Sequence, residues 1–431
     1  MGERTGTDVE LEVGDIAHGG IAVARLDGRV VFVEDAIPGE RVRARITDDR
    51  KRSFWRASAV EAIEPSPHRV EHVWSAASID RDPADRAGGA EFGHIALAHQ
   101  RALKAQVLVD AFARFAHMEV ESLPRTDGPL VQAAPGDEDR GGLAWRTRVR
   151  LHVDETGTAG PFASRSHRVI PVADLPLATA DVQAVAPLRP YALPGVAVVD
   201  VVAPAHADND EPGGPSTDSG ARLVIDDQAP TVITEQVGDR TFHVDDTGFW
   251  QVHRAAPSVL TGAIGRLVDR DRLDEDGHHL DLYGGVGLLA AALAEVVGPR
   301  ARVSTIESAP RATEHAQENL AEWVGARAET ARVDRWLRRT LAGASRTERE
   351  RLTAGTVVLD PPRSGAGREV VESLVELAPA QIVYVACDPV ALARDVGLFA
   401  EHGYRLDALE AHDLFPHTHH LEAVARLVPA A

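Results

Sequence analysis

One cysteine stands among 431 residues. That scarcity excludes an internal disulfide and any all-cysteine metal or iron–sulfur site within one chain. No stretch approaches the roughly 18 uninterrupted apolar residues of a membrane span, so no membrane partner is expected. The opening Met1-Gly2-Glu3-Arg4-Thr5-Gly6-Thr7-Asp8 lacks the basic and apolar parts of a signal peptide, and a cytoplasmic location is expected. Positive charge is also short: 46 Lys and Arg against 66 Asp and Glu leave a net −20. This argues against a surface coated in basic patches. A nucleic-acid binder of this charge would have to be basic locally, because phosphate contacts supply most of the affinity.

Such local clusters exist. Arg41, Arg43, Arg45, Arg50, Lys51, Arg52 and Arg56 fall within sixteen residues that carry only Asp48 and Asp49 against them. Arg146, Arg148 and Arg150 alternate as on one face of a strand, and Arg165 and Arg168 follow. A solvated charged face is the plain alternative for any single cluster.

The length suits two or three domains at roughly 100–200 residues each, and 44% apolar content is ordinary for a globular chain. Residues 8–64 read as about five short strands with tight turns, among them His18-Gly19-Gly20, Asp27-Gly28 and Pro38-Gly39, and Arg41 to Ile46 alternates strictly. So many strands in so short a stretch suggest a small closed barrel of the OB type, a fold often used on nucleic acid. Residues 75–92 are polar and turn-rich, and 95–117 shows helical spacing. Residues 143–234 read as mixed β, with an Asp-, Gly-, Pro- and Ser-rich surface loop at 204–221. From about Asp246 strands and helices alternate, which predicts a doubly wound parallel α/β sheet.

The chemistry-bearing residues fall at the strand ends of that C-terminal part. Cys387 closes the run Gln381 to Ala386 and is followed by Asp388-Pro389, so the thiol sits at the carboxyl end of a central strand, where open α/β sheets bind ligands. A buried, inert thiol is the bland alternative. Gly284-Gly285-Val286-Gly287 forms a strand–helix turn, and Glu307 ends the next strand, where a carboxylate can hold both hydroxyls of a ribose. The GxGxxG spacing of a dinucleotide fold is absent, and a phosphate-free adenosine cofactor, S-adenosylmethionine, fits better. A plain turn with a surface Glu is the alternative. Asp360-Pro361-Pro362-Arg363 follows another apolar strand, and its prolines stiffen the loop that presents Asp360. Glu422 begins the last strand. His417, His419 and His420 lack a second cluster at ligand spacing, so no metal is expected.

Cys387-Asp388-Pro389-Val390-Ala391-Leu392-Ala393-Arg394-Asp395 resembles the Ser-Cys-Asn-Pro-x-x-Leu-x-Arg-Asp signature of the RNA uracil-5 methyltransferases, which make 5-methyluridine in transfer or ribosomal RNA. Asp360-Pro361-Pro362-Arg363-x-Gly365, Phe415-Pro416-His417-Thr418-x-His420-x-Glu422 and Phe249-Trp250-Gln251-Val252-His253 resemble further motifs of that family. The N-terminal barrel resembles the TRAM domain of the ribosomal-RNA members, and Gly88-Gly89-Ala90-Glu91-Phe92-Gly93-His94 is similar to their Gly-Gly-Cys-x-x-Gln-His. The resemblance implies a Rossmann-like class I methyltransferase domain at 246–431, a TRAM-like barrel at 1–66 and a central RNA-binding region at 67–245, whose helix at about 93–117 packs on the catalytic domain. It implies Cys387 as nucleophile and Glu422 as base. Gln251, Tyr283, Gly285, Glu307, Asp334 and Asp360 would bind the cofactor, and Arg41, Arg43, Arg45, Arg52, Arg56, Arg146 and Arg148 the RNA. A monomer is expected, with ribosomal RNA favoured over transfer RNA.

Three departures stand out. The cysteines of the iron–sulfur relatives are gone, Ala90 standing for one of them, so no cluster is expected. Leu288 stands where many relatives carry Asn. Asp388 replaces the usual Asn, and a carboxylate beside the nucleophile should disfavour the thiolate unless something pairs it. An RNA-binding protein with lapsed catalysis and a small-molecule methyltransferase are the alternative readings.

Overall fold

The computed structural model describes residues 4–120, 128–189, 191–204 and 220–430. Most of the loop read at 204–221 therefore lies outside the described residues.

Five strands close the N-terminal barrel in the order β1-β2-β3-β5-β4: β1 (Asp8–Ala17), β2 (Ile21–Leu26), β3 (Arg29–Glu34), β4 (Arg41–Asp48) and β5 (Phe54–Glu64). Alternation is the cause. Val42, Ala44 and Ile46 point into the barrel while Arg41, Arg43 and Arg45 point out. Strand β5 runs unbroken from Phe54 to Glu64, paired with β4 across three register shifts.

Helix α1 (Leu97–Ala111) continues as a π-helical turn to Ala116, where His117 leaves with φ 54°. A small apolar seam of Ile16 and Ile37 from the barrel with Phe92, Ile95 and Leu103 docks the barrel against α1. Strand β6 (Val131–Ala133) adds to the edge of the catalytic sheet. The strands β7 (Arg148–Val153), β8 (Ala159–Gly160), β9 (Val198–Val202) and β10 (Arg222–Ile225) form a separate sheet in the order β10-β9-β7-β8, with α2 (Ala180–Val185) against it. A hairpin of β11 (Val232–Val237) and β12 (Arg240–Asp245) leads into α3 (Ala256–Leu267).

The catalytic sheet has eight strands in the order β15-β14-β13-β16-β17-β19-β18-β6. Its parallel part is β13 (His279–Leu282), β14 (Val303–Glu307), β15 (Arg327–Thr330), β16 (Thr356–Leu359) and β17 (Gln381–Ala386). The connecting helices are α4 (Leu288–Val297), α5 (Pro310–Asn319), α6 (Val333–Gly343), α7 (Arg346–Thr353) and α8 (Arg368–Leu377). After α9 (Pro389–Glu401) the sheet departs from the all-parallel expectation. Strand β19 (Glu422–Pro429) runs antiparallel between β17 and β18 (Tyr404–Asp413). The short link from β18 to β19 explains this, since antiparallel neighbours need no crossover helix. In β17, Ile382, Tyr384 and Ala386 face one apolar layer and Val383 and Val385 the other, as a strand covered on both faces requires. No helix among the described residues is long and apolar enough to cross a membrane.

Candidate active site

Register assembles the site. Leu282 of β13 pairs with Ile306 of β14 and Leu359 of β16, so Tyr283, Glu307 and Asp360 reach one sheet edge together. Ala386 of β17 pairs with Ala423 of β19, and one further step along that antiparallel register sets Cys387 beside Glu422. A cavity of about 1340 Å³ opens on this edge. Its lining includes Arg146, Gln251, Tyr283, Gly285, Glu307, Asp334, Asp360, Arg363, Cys387 and Glu422.

At one end, Gly284 turns under the sheet edge, where a β-carbon would collide with Thr305 and Asp281. The Glu307 carboxylate accepts from the backbone N–H of Gly285 at 3.2 Å and of Ala309 at 2.8 Å, and from the Ser308 hydroxyl. Asp334 lies in the first turn of α6 and pairs with Arg332 at 3.0 Å, which lowers its pKa. Phe249, beside Gln251, is 73% exposed at the cavity.

At the other end carboxylates crowd the thiol. Burial first, then Glu422 and Asp360, push Cys387 up to about 12, against an opposing pull from Arg363. Burial and Asp360 raise Glu422 well above the ordinary carboxylate range, again opposed by Arg363. Asp360 is pushed up to about 7 by burial and by Asp281, itself raised to about 7 by burial. Among the described residues no donor reaches the Asp360 carboxylate.

Two supports hold these groups. The loop after Asp360 is pinned by Asp395 of α9, whose Oδ2 accepts from the Tyr384 hydroxyl at 2.6 Å and from the N–H of Ala366 at 2.7 Å. The loop before Glu422 is pinned by α1. Lys104 donates to Asp413 at 2.5 Å and to the Phe415 carbonyl at 3.0 Å, and Gln100 brackets His417 through its backbone N–H and ring. His417 donates in turn to the Gly141 carbonyl at 2.8 Å.

The expected conflict at Asp388 has a different outcome. Its Oδ1 caps α9, accepting from Val390 at 3.0 Å and Ala391 at 2.8 Å, while Oδ2 pairs with His18 of the barrel at 2.9 Å. The carboxylate is spent on partners, and the groups that push the thiol up are Glu422 and Asp360.

The arginines separate into four fates. Arg41 pairs with Glu10 and Glu64, Arg43 with Glu61, and Arg45 with Asp8 and Asp82. Arg148 is inward, donating to the Gly248 carbonyl at 2.8 Å and Glu235 at 3.2 Å, so it braces the turn before Gln251. Arg146 lines the cavity, and Arg52 is exposed while Arg56 lies over Phe54 together with Lys51.

Sequence reasoning did not single out His18, Lys104, Gln100, Asp281, Arg363 or Tyr384 as site residues. Asp281 offered a signal, an acid inside an apolar strand, and Lys104 with Gln100 sits on the apolar face of a helical pattern. His18 offered none.

A doubly covered sheet with a glycine turn, the strand-end carboxylate of Glu307 and an acid-Pro-Pro loop at one edge is the architecture of a Rossmann-like methyltransferase fold. Residues 237–428 match the family model of tRNA (uracil-5-)-methyltransferases, and residues 3–59 match the TRAM domain. An uncharacterized RNA methyltransferase of Streptomyces coelicolor is 39% identical, covering 99% of this chain and 94% of its own. One of Bifidobacterium longum is 34% identical over 98% and 97%. The crystal structure of Pyrococcus abyssi tRNA (uracil-54, C5)-methyltransferase in complex with S-adenosyl-L-homocysteine superposes with a TM-score of 0.65 at 20% identity, covering 97% of this chain and all of that one, a likeness of fold. The chain belongs to the RNA (uracil-5-)-methyltransferase family, with an N-terminal TRAM domain.

Proposed function

We propose that this chain transfers a methyl group from S-adenosylmethionine to C5 of a uridine in RNA through a covalent adduct of Cys387 with C6. The observation that carries the reading is the placement of Cys387 and Glu422 in the same cavity as Glu307 and Asp360. The barrel's resemblance to the TRAM domain of ribosomal-RNA members favours ribosomal over transfer RNA. The reading includes a monomeric, cytoplasmic enzyme.

The residues present fit the cofactor. Glu307 keeps acceptor capacity for a ribose diol, the Gly284 turn leaves no room for a side chain, and the unpartnered Asp360 at the cavity wall suits a cationic neighbour. When bound, the cofactor supplies an electrophilic methyl on a positively charged sulfur.

The chain's own residues supply the rest. C5 of uracil is a weak nucleophile, so the Cys387 thiolate forms a bond to C6 with its own electron pair, the C5–C6 π bond breaks, and that π pair passes into the C4–C5 enolate, which makes C5 nucleophilic. After methyl transfer the C5 proton leaves to the Glu422 carboxylate, the C5–C6 double bond re-forms, and the thiolate is expelled. Burial and the neighbouring carboxylates raise both groups, so positive charge brought beside them favours their ionised forms. Arg363 is the resident source. The target base must leave its stack to reach the thiol. Gln251, Tyr283, Gly285 and Asp334 complete the proposed cofactor site.

RNA carrying 5-fluorouridine tests the reading, because fluorine at C5 cannot leave as a proton. The expected result is a cofactor-dependent covalent complex on denaturing gels. Tight RNA binding with no adduct would favour the lapsed-catalysis reading.

A further inference from the structure

The barrel reaches the nucleophile. Its β1–β2 turn, closed by the Gly20 N–H on the Ala17 carbonyl at 3.1 Å, lies against the loop before Glu422, where a β-carbon at Gly20 would collide with His419 and Phe92. Between this turn, α1 and the start of α9 is a pocket of about 130 Å³ lined by His18, Gly20, Phe92, Lys104, Arg363 and Cys387. His18 and Asp388 join across it at 2.9 Å, 370 residues apart in sequence. The side chains are 50% and 21% exposed, so the pair borders solvent and can respond to it.

Asp388 is divided between two tasks. Oδ1 is held by two N–H groups at the helix start, which orients Oδ2 toward the barrel. An acid rather than an amide at this place presents an acceptor with charge, and a charge-assisted bond to imidazolium is about twice as strong as a neutral one. We propose that His18 is a positioning residue for methyl transfer: its pair with Asp388 holds the barrel's turn against the nucleophile loop, so that the barrel supplies one wall of the space beside Cys387. This rests on the functional reading above and extends it, giving the barrel a place in the active site as well as on the RNA. The rest of the barrel is docked independently by the apolar seam at Ile16 and Ile37 and by Arg69–Glu40 and Arg86–Asp35. Loss of His18 therefore frees the turn and leaves the barrel in place.

The groups facing His18 are Asp388 and Arg394 of α9, with Lys104 of α1, Arg363, His419, His420 and the Cys387 thiol around the pocket. Hydrogen bonding to Asp388 raises the imidazole pKa above 6.5, against the opposing effects of burial and Arg394. The stabilisation from the charged form is thus fully present below about 6.5 and fades as pH rises through the higher folded-state value.

The test uses the full chain and the variants His18→Ala, His18→Arg, Asp388→Asn and the double His18→Ala/Asp388→Asn. Methyl transfer to a stem-loop RNA is followed from about pH 6 to about pH 9, the range over which an upshifted imidazole loses its charge. His18→Ala is expected to lower kcat on the order of ten-fold at the acidic end with little change in KM, because the wall orients a base already bound. The deficit should shrink at the alkaline end. His18→Arg, permanently charged, should keep kcat near wild type across the range, and the two single changes should be non-additive in the double variant. Hydrogen exchange over residues 14–26 should accelerate in His18→Ala and Asp388→Asn while exchange in β3 and β5 stays unchanged. Additive effects, a pH-independent deficit, or unaltered exchange in the turn would overturn the proposal. Should the wild type transfer no methyl to RNA, the functional reading fails, and the exchange measurement still decides whether His18 holds the turn.

Discussion

The Lys104 Nζ lies 2.5 Å from Oδ1 of Asp413, with the two side chains 0% and 1% exposed. This pair ties α1 to the last residue of β18, at the start of the loop that delivers Glu422. A buried ion pair sets its Coulomb gain against the cost of desolvating both charges, and removing one partner leaves the other uncompensated. Lys104→Met should therefore destabilise the protein by about 3–5 kcal/mol, read from urea unfolding, and the double change Lys104→Met/Asp413→Leu should recover much of that. With Asp413→Leu measured alone as well, single losses that simply add in the double variant would show that the pair contributes no coupling.

Cys387→Ala should abolish methyl transfer and leave cofactor affinity within about two-fold, because the thiol meets the base and not the donor. Calorimetric titration with the cofactor and a methyl-transfer assay separate the two. Turnover close to wild type would exclude the covalent route.

Glu422→Gln should stall after methylation and accumulate a protein–RNA adduct on denaturing gels, which Cys387→Ala cannot form. The same change tests the burial of this acid. A carboxyl group whose folded pKa is raised binds its proton more tightly folded than unfolded, so stability falls as pH climbs from about 4.5 toward the folded value. Glu422→Gln should raise Tm, with a gain that grows as pH increases above about 4.5 and vanishes below it. A gain that does not vary with pH would mean that the acid titrates normally.

Arg41, Arg43 and Arg45 are each matched by barrel carboxylates, whereas Lys51 and Arg56 lie over Phe54 and Arg52 is exposed. Replacing Lys51, Arg52 and Arg56 together by Ala should reduce the slope of log affinity against log salt by ~0.7–0.9 for each phosphate no longer neutralised. The Arg41/Arg43/Arg45 triple should change it less. The reverse order would mean that RNA displaces the intrabarrel ion pairs.

Protein purified without air should show no visible charge-transfer band and no stoichiometric iron, since such clusters are held by four thiolates and the chain has one. A stoichiometric band would require thiolates from a second chain.

Much of this protein was determined by local sequence alone. The alternating barrel strands, the apolar strands of the parallel sheet and the residues at their ends are short-range patterns, and strand period and turn chemistry fix where such side chains emerge. For that reason Gln251, Tyr283, Glu307, Asp360, Cys387 and Glu422 could be named from their motifs, and one cavity collects them. Charge was less legible. The basic run at 41–56 has two acids near it in sequence, but the barrel brings Asp8, Glu10, Glu61 and Glu64 across from neighbouring strands, the segment after the barrel adds Asp82, and together they neutralise its first three arginines. What only the tertiary structure decided is the set of partners that hold the site: Lys104 with Asp413, Gln100 with His417, and His18 with Asp388, each pair more than 300 residues apart. No local rule records such contacts. They arise because packing the barrel and α1 onto the catalytic sheet removes polar groups from water, and most of these groups then pair wherever the fold has brought a partner.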